Sequence, residues 1–186
     1  MKRLWATLMI AAVATASAAR AEDQTVALRD VAVVQNGRDE ARIYFRTALA
    51  SLPSSVVIER AELTVPYAGS AEDRSLEVRV CPVTGSWTSG ARWDTAFDEE
   101  LYSRADLDLR SGSGALRFDV TVPLVAMHEH GLAADGFVLT IAGDRGLRAA
   151  DLSRLSTFEG ARLTLRTTAL PSGRPPARWL ERHGVN

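Results

Sequence analysis

Along most of the chain, hydrophobic and polar residues alternate with a period of two. The apolar positions of this pattern are Ile43 and Phe45; Ala61, Leu63, Val65 and Tyr67; Leu76, Val78 and Val80; Leu116, Phe118 and Val120; Phe137, Leu139 and Ile141; and Ala161, Leu163 and Leu165. A strand with one buried face has this period. With the run from Thr25 to Val34, the pattern predicts at least seven strands. Because two such sheets can bury their apolar faces against each other, we predict an all-β, antiparallel sandwich.

Two segments depart from the alternation. TVPLVAMHEHGL, beginning at Thr121, has apolar residues at helical offsets, and it predicts one short helix with Thr121 as the N-cap, Pro123 in the first turn and Gly131 as the stop. The stretch from Trp93 to Gly114 shows no clear period. We predict a long loop there, and long loops often carry binding residues.

The N-terminal segment has the pattern of an export signal. Lys2 and Arg3 precede an apolar run, and Ala19-Arg20-Ala21 matches the A-x-A motif that signal peptidase cuts. We expect cleavage after Ala21, which leaves a secreted or periplasmic domain at residues 22–168 and a proline-rich tail at residues 169–186. The apolar run is short for a membrane span, so we expect no membrane anchor.

The charge of the mature chain disfavours a nucleic-acid partner. The chain has 22 Lys and Arg against 23 Asp and Glu; loss of Lys2, Arg3 and Arg20 with the signal leaves 19 basic residues and a net charge of −4. A phosphate backbone is a poor partner for such a chain. Every remaining basic residue is arginine, whose planar guanidinium suits carboxylates. Cys81 is the single cysteine, so no intrachain disulfide forms.

Six segments follow one another in a familiar order: RIYFRTALASLP, VIERAELTVPYAG, LEVRVCPVTGSWTSGARWD, LRFDVTVPLV, GFVLTI and ARLTLR. In order and spacing they resemble the DNRLRE domain, a module of secreted bacterial and archaeal proteins, and the resemblance covers residues 26–167. It implies a jelly-roll β-sandwich. That family is related to carbohydrate-binding modules, some of them alginate-binding, so the resemblance also implies non-catalytic binding or a structural role at a surface.

Two tryptophans are the first candidates for sugar contact. Trp87 and Trp93 flank the turn TSGAR, and an aromatic face is what a protein stacks on the apolar face of a pyranose ring. The alternative is that Trp87 closes the end of the core and Trp93 pins the loop, because large aromatic side chains are highly buried on average.

Arginines form the second group of candidates. The polar faces of the predicted strands carry Arg42, Tyr44, Arg46, Arg60, Arg79 and Arg117. Aligned on neighbouring strands, these side chains would form a basic stripe for the carboxylates or sulfates of an acidic polysaccharide. The alternative is pairing of each arginine with Glu59, Glu62 or Glu77 on the sheet surface.

Metal binding and catalysis have weaker signals. Asp94, Asp98, Glu99 and Glu100 share one loop and could hold Ca²⁺, although their spacing matches no defined calcium loop. His128 and His130 are two residues apart, so on a helix they point in different directions and do not predict a zinc site. The chain has no G-x-S-x-G elbow and no phosphate-binding glycine loop before a helix.

The sequence therefore predicts a secreted, non-catalytic carbohydrate-binding module whose partner is a polysaccharide. Its predicted ligand-binding residues are Trp87, Trp93, Tyr44, Arg42, Arg46 and Arg79. We expect no catalytic residues and no cofactor other than the Ca²⁺ just described. The alternative is a structural or adhesive protein of the cell surface or matrix that acts through protein–protein assembly.

Overall fold

Ten strands and one α-helix account for most of the residues that the structure describes. The structure is a computed structural model that describes residues 21–37, 40–48, 52–53, 55–68, 77–87, 91–108, 114–141, 146–148, 155 and 158–169. The strands are β1 (Ala21–Val26), β2 (Leu28–Asn36), β3 (Glu40–Thr47), β4 (Val56–Tyr67), β5 (Val78–Pro82), β6 (Ser103–Asp108), β7 (Gly114–Asp119), β8 (Phe137–Ile141), β9 (Leu147–Arg148) and β10 (Arg162–Ala169). The helix α1 spans Thr121–His128, and a 3₁₀ turn spans Phe158–Gly160.

The strands form one curled antiparallel sheet that folds into two facing halves. Sheet I has the order β1, β10, β4, β7, β6, and sheet II has the order β6, β5, β8, β3, β2, with β9 paired to β3. The two halves join at β6, whose first two residues pair with β5 and whose last four pair with β7. The chain crosses from one half to the other after β1, β3, β4, β7 and β9. It therefore has the jelly-roll-like sandwich architecture predicted from the sequence.

The apolar faces of the two halves meet in one core. Sheet I contributes Leu63 and Leu165, among others, and sheet II contributes Phe45 and Leu139; each of these four residues is 1% exposed or less. These are positions of the period-two pattern, so the sequence-based prediction of the sandwich and its core is confirmed. Phe45 also contacts the rings of Phe137 and Phe158, which closes the core beneath the 3₁₀ turn.

The structure corrects the predicted strand list at two places. The stretch predicted as a long loop from Trp93 to Gly114 contains β6, in which Ser103, Ala105 and Leu107 alternate with charged residues; the period is hard to recognise because two of the three non-charged residues are small. The run from Thr25 to Val34 contains two strands, since the chain leaves sheet I after β1 and enters sheet II at β2.

The short helix is present, but its N-cap is not the predicted one. Val120 occupies the N-cap position and Thr121 is the first helical residue. The carboxylate of Asp119 accepts the backbone N–H of Thr121 at 3.0 Å, so it satisfies a donor of the first turn. The helix ends as predicted near Gly131, which has a φ of 66° that favours glycine.

The predicted signal segment and the tail lie largely outside the residues that the structure describes. Residues 1–20 and 170–186 are not among the described residues, and β1 begins at Ala21, the residue after which we expect cleavage. In the described part of the chain, no helix has both the length and the apolar character needed to cross a membrane.

Candidate functional site

The outer face of sheet II is buried beneath a loop. In register across β3, β8 and β5, the side chains of Tyr44, Val138 and Cys81 form a row that points away from the main core. All three are 1% exposed or less, and they belong to a second apolar cluster with Trp87. The chain between β5 and β6, described at residues 83–87 and 91–102, provides the cover; we call it the cover loop.

Backbone hydrogen bonds fix the cover loop to itself and to the sheet. The N–H groups of Thr84 and Gly85 both donate to the carbonyl of Ala96 at 3.0 Å, and Asp98 N–H donates to the carbonyl of Pro82 at 2.8 Å. The carboxylate of Asp98 accepts the N–H of Glu100 at 2.9 Å. These bonds satisfy the polar backbone of a loop that packs on apolar side chains.

Arginine side chains of sheet II pack against aromatic rings of the cover loop. The guanidinium of Arg42 lies 4.2 Å from the ring centroid of Trp93 and 4.8 Å from that of Phe97, and it donates to the Trp93 carbonyl at 2.6 Å. The guanidinium of Arg79 lies 4.1 Å from the ring of Tyr102. Cation–π contacts of this kind stabilise the packing and keep an arginine within an otherwise apolar layer.

Arg46, Asp135 and Trp87 form the tightest polar cluster of this layer. Arg46 donates to the Asp135 carboxylate from Nε at 2.8 Å and from Nη2 at 2.6 Å. Asp135 also accepts the backbone N–H of Trp87 at 2.9 Å, and Arg46 donates to the Trp87 carbonyl. These hydrogen bonds, above all those from Arg46, lower the pKa of Asp135 below its ordinary value. The cluster ties the start of the cover loop to β3.

The six ligand-binding residues predicted from the sequence lie together in this layer. Tyr44 is fully buried, Trp87 is 3% exposed and Arg42 is 6% exposed. The side chains of Arg46 and Arg79 keep 28% and 20% of their surface, and Trp93 is half-buried. They contact one another and their neighbours Phe97, Tyr102, Glu77 and Asp135, so the layer holds the cover loop in place and offers limited surface to a ligand.

The remaining candidates are engaged in local contacts. Burial raises the pKa of the Cys81 thiol to about 12, so this cysteine is inert at neutral pH. A ring nitrogen of His128 lies 3.1 Å from the carbonyl of Val56. Among the described residues, no group of three or more His, Cys, Asp or Glu side chains is arranged to hold a metal ion. Asp98, from the acidic loop, caps a backbone turn instead.

A second surface, on the outer face of sheet I, is open to solvent. Three arginines, two acids and one threonine line a groove of about 370 Å³; we call it the arginine groove, and its residues are Asp23, Arg60, Glu62, Arg117, Thr164 and Arg166. They come from β1, β10, β4 and β7, where the intervening residues, such as Leu63 and Leu165, point into the core. The alternation that builds the sandwich also builds this polar surface.

The arginine groove brings two arginines of neighbouring strands side by side. Arg60 and Arg166 are direct cross-strand partners, and like charges in this position disfavour each other. Both are well exposed, at 68% and 57% of the side chain. Glu62 contacts Arg60 at 3.3 Å and Arg117 at 3.4 Å, and Glu59 contacts Arg166 at 3.7 Å. The pairing considered as the alternative from the sequence is therefore observed for Arg60 and Arg117 with Glu62, and for Arg79, which contacts Glu77 at 2.8 Å. Arg42 and Arg46 have other partners.

The structure divides the predicted basic stripe between two faces. Arg42, Arg46 and Arg79 lie under the cover loop, whereas Arg60 and Arg117 lie in the arginine groove. The sequence analysis missed Arg166, Thr164 and Asp23, which complete the groove. Arg166 follows Leu165 in an alternating segment, so the sequence could have placed it on the polar face of its strand. Its position opposite Arg60 depends on the pairing of β10 with β4, which the sequence does not show.

Comparison of the chain with protein-family models, with curated proteins and with solved structures finds no match in any of the three.

Proposed function

We propose that this chain is a secreted, non-catalytic module that binds an acidic polysaccharide along the arginine groove. The observation that carries the proposal is the solvent-exposed pair Arg60 and Arg166, placed directly opposite each other on neighbouring strands and joined by Arg117 in one groove. Each guanidinium contacts one carboxylate, Glu62 or Glu59, at 3.3–3.7 Å, and each has further N–H donors with which an anionic ligand can pair.

The form of the groove suits an extended ligand. It crosses four strands, and neighbouring strands are spaced about 4.8 Å apart, so it spans roughly 15 Å. That length accommodates a few sugar residues. Thr164 supplies a hydroxyl at the centre of the groove, and hydroxyl and guanidinium donors are the groups that bind sugar hydroxyls and uronate carboxylates.

Two features of the sequence support the same proposal. The pattern of residues 1–21 is that of an export signal, so the mature domain would meet extracellular or envelope polysaccharides. The resemblance of residues 26–167 to the DNRLRE domain, a relative of carbohydrate-binding modules, points to the same class of ligand.

The arginine groove is a better contact surface than the cover loop. Side chains that bind a ligand directly must be accessible before binding, and Tyr44, Trp87 and Arg42 are nearly or fully buried. Trp93 keeps part of its surface, so it could contact a ligand only from the edge of the layer. The groove arginines are each about half exposed or more.

Affinity electrophoresis of residues 22–186 tests the proposal. The gels contain polyuronates, sulfated polysaccharides or neutral glucans, with and without Ca²⁺. We expect retardation in the acidic gels alone, lost in the double variant Arg60→Gln/Arg166→Gln and preserved in Trp93→Ala. Loss in Trp93→Ala alone would move the site to the cover loop. No retardation in any gel, with the protein folded, would refute the proposal.

One observation favours a second candidate function, assembly with other protein chains. Among the described strands, β2 pairs with β3 alone, and it exposes Val31 and Val33 at 46% and 53%. An edge strand with exposed apolar residues is suited to pairing with another strand. Sedimentation velocity of wild-type and Val33→Lys protein tests this function: a self-association lost in the variant would support assembly, and a monomer at all concentrations would oppose self-assembly.

A further inference from the structure

Glu62 occupies the middle of the arginine groove. In register it lies between Thr164 on β10 and Asp119 on β7. Its side chain keeps 27% of its surface, less than the 49–68% of the three arginines of the groove. The carboxylate of Asp119 is turned to the helix start, where it accepts hydrogen bonds from Thr121. Glu62 is therefore the carboxylate most enclosed by the groove.

The contacts of Glu62 are those that an anionic ligand would make. One of its oxygens lies 3.3 Å from a nitrogen of Arg60, and the other lies 3.4 Å from a nitrogen of Arg117. The hydroxyl of Thr64 lies within 3.5 Å of the second oxygen. A single carboxylate thus bridges two guanidinium groups from neighbouring strands, as the carboxylate of a uronate or the sulfate of a sulfated sugar would do.

The bridge made by Glu62 is loose compared with a similar bridge in the same chain. On sheet II, Arg79 and Arg104 are direct cross-strand partners, and Glu77 contacts both of them at 2.8 Å. Strong ion pairs have N···O distances of 2.7–2.9 Å, and exposed longer pairs contribute little to stability. The contacts of Glu62 are thus about 0.5 Å longer than those of Glu77, and longer contacts are the easier ones for a ligand to replace.

We propose that Glu62 is an internal competitor of the ligand and sets the affinity of the arginine groove. This inference rests on the proposed function: the Glu62 carboxylate holds the position of one anionic group of the ligand, and binding exchanges the two anions on Arg60 and Arg117, next to the pair of Arg60 with Arg166. The competition makes the groove selective, because a neutral sugar has no charge with which to displace Glu62.

The test measures the affinity of wild-type residues 22–186 and of two variants for a polyuronate oligosaccharide by isothermal titration calorimetry at low salt. Glu62→Gln keeps the size of the side chain and removes its charge. Glu77→Gln makes the same change in net charge at a bridge outside the groove, so it is the matched control. We expect Glu62→Gln to bind about five- to tenfold more tightly, and Glu77→Gln to stay within twofold of wild type. Because screening weakens exposed charges, the gain should shrink at 0.5 M salt.

Each outcome has a distinct meaning. Unchanged or weaker binding by Glu62→Gln, with wild-type binding present, would overturn the inference and leave the proposed function in place. Equal gains in both variants would also overturn it, because the effect would then come from net charge alone. If neither wild type nor Glu62→Gln binds, the proposed function fails and the inference fails with it. If the glutamine variant is unstable, Glu62→Thr tests the same gain in affinity, because threonine is a residue that strands favour.

Discussion

Replacing Asp135 by Asn removes the charge that ties the cover loop to β3. The Asp135 carboxylate accepts two hydrogen bonds from Arg46 and one from the backbone of Trp87, at 2.6–2.9 Å. A hydrogen bond to a charged group contributes about 1.5–3 kcal/mol, and the partial exposure of both side chains, 28% and 33%, reduces this contribution. Because Asn keeps one acceptor, we expect Asp135→Asn to lower the free energy of unfolding by about 2 kcal/mol.

The matched control is Asp30→Asn. Asp30 contacts the same guanidinium, through Nη1 of Arg46 at 3.3 Å, but its side chain is 57% exposed. Its φ of 50° is one that Asn tolerates. We expect a loss of less than about 0.5 kcal/mol, as for other exposed pairs. Thermal unfolding separates the variants: for a domain of this size, about 2 kcal/mol corresponds to a fall in Tm of roughly 4–8 °C.

The dependence on pH provides a second assay of the same interaction. Arg46 lowers the pKa of Asp135 in the folded protein, so the stabilisation is complete above the pKa of the unfolded chain, about 3.9, and is lost as the pH falls through the lower folded pKa. The difference between wild type and Asp135→Asn should be constant above about pH 5 and should shrink below about pH 4. Equal stability of the two Asn variants at pH 7, or a difference that persists unchanged at pH 2, would refute this reasoning.

Three further predictions concern buried and crowded positions. Trp87→Ala should lower the free energy of unfolding by about 3–5 kcal/mol in urea titrations, and Trp93→Ala by less than half of that, because only Trp87 is fully enclosed. Cys81, whose pKa burial raises to about 12, should react with a thiol reagent at pH 8 no faster than the protein unfolds; rapid labelling of the native state would contradict its burial. Gly136→Ala should cost more than about 3 kcal/mol, since the φ is 100° and the new methyl would collide with the backbone of β3. Gly131→Ala, with open space around it, should cost about 1 kcal/mol in the same denaturation assay.

The fold could largely be predicted from the sequence because alternation and burial have the same period. Leu63, Leu165 and Leu139 lie in strands whose every second residue is apolar, and each of the three points into the core. β6 escaped prediction because the residues that alternate with its charged positions include the small Ser103 and Ala105, which give a weak hydrophobic signal. The break at Ala27 was missed because the apolar run continues across the point where the chain changes sheets.

The candidate site was less predictable because it depends on contacts between distant segments. The sequence showed that Arg42, Tyr44 and Arg46 share one face of a strand, and this is correct. It did not show that a loop would cover that face, since the main anchor of the loop, Asp135, lies 89 residues from Arg46. The groove depends on the register that brings Arg166 opposite Arg60, and no local pattern specifies it.

The most direct test of the central claim is a map of the ligand contact by nuclear magnetic resonance. Amide ¹H–¹⁵N spectra of residues 22–186 would be recorded during titration with a polyuronate oligosaccharide. The account predicts shifts on the outer face of β10, β4 and β7, around Arg166, Glu62 and Arg117, and none around Trp87. Shifts confined to the cover loop, or none at millimolar ligand, would contradict it.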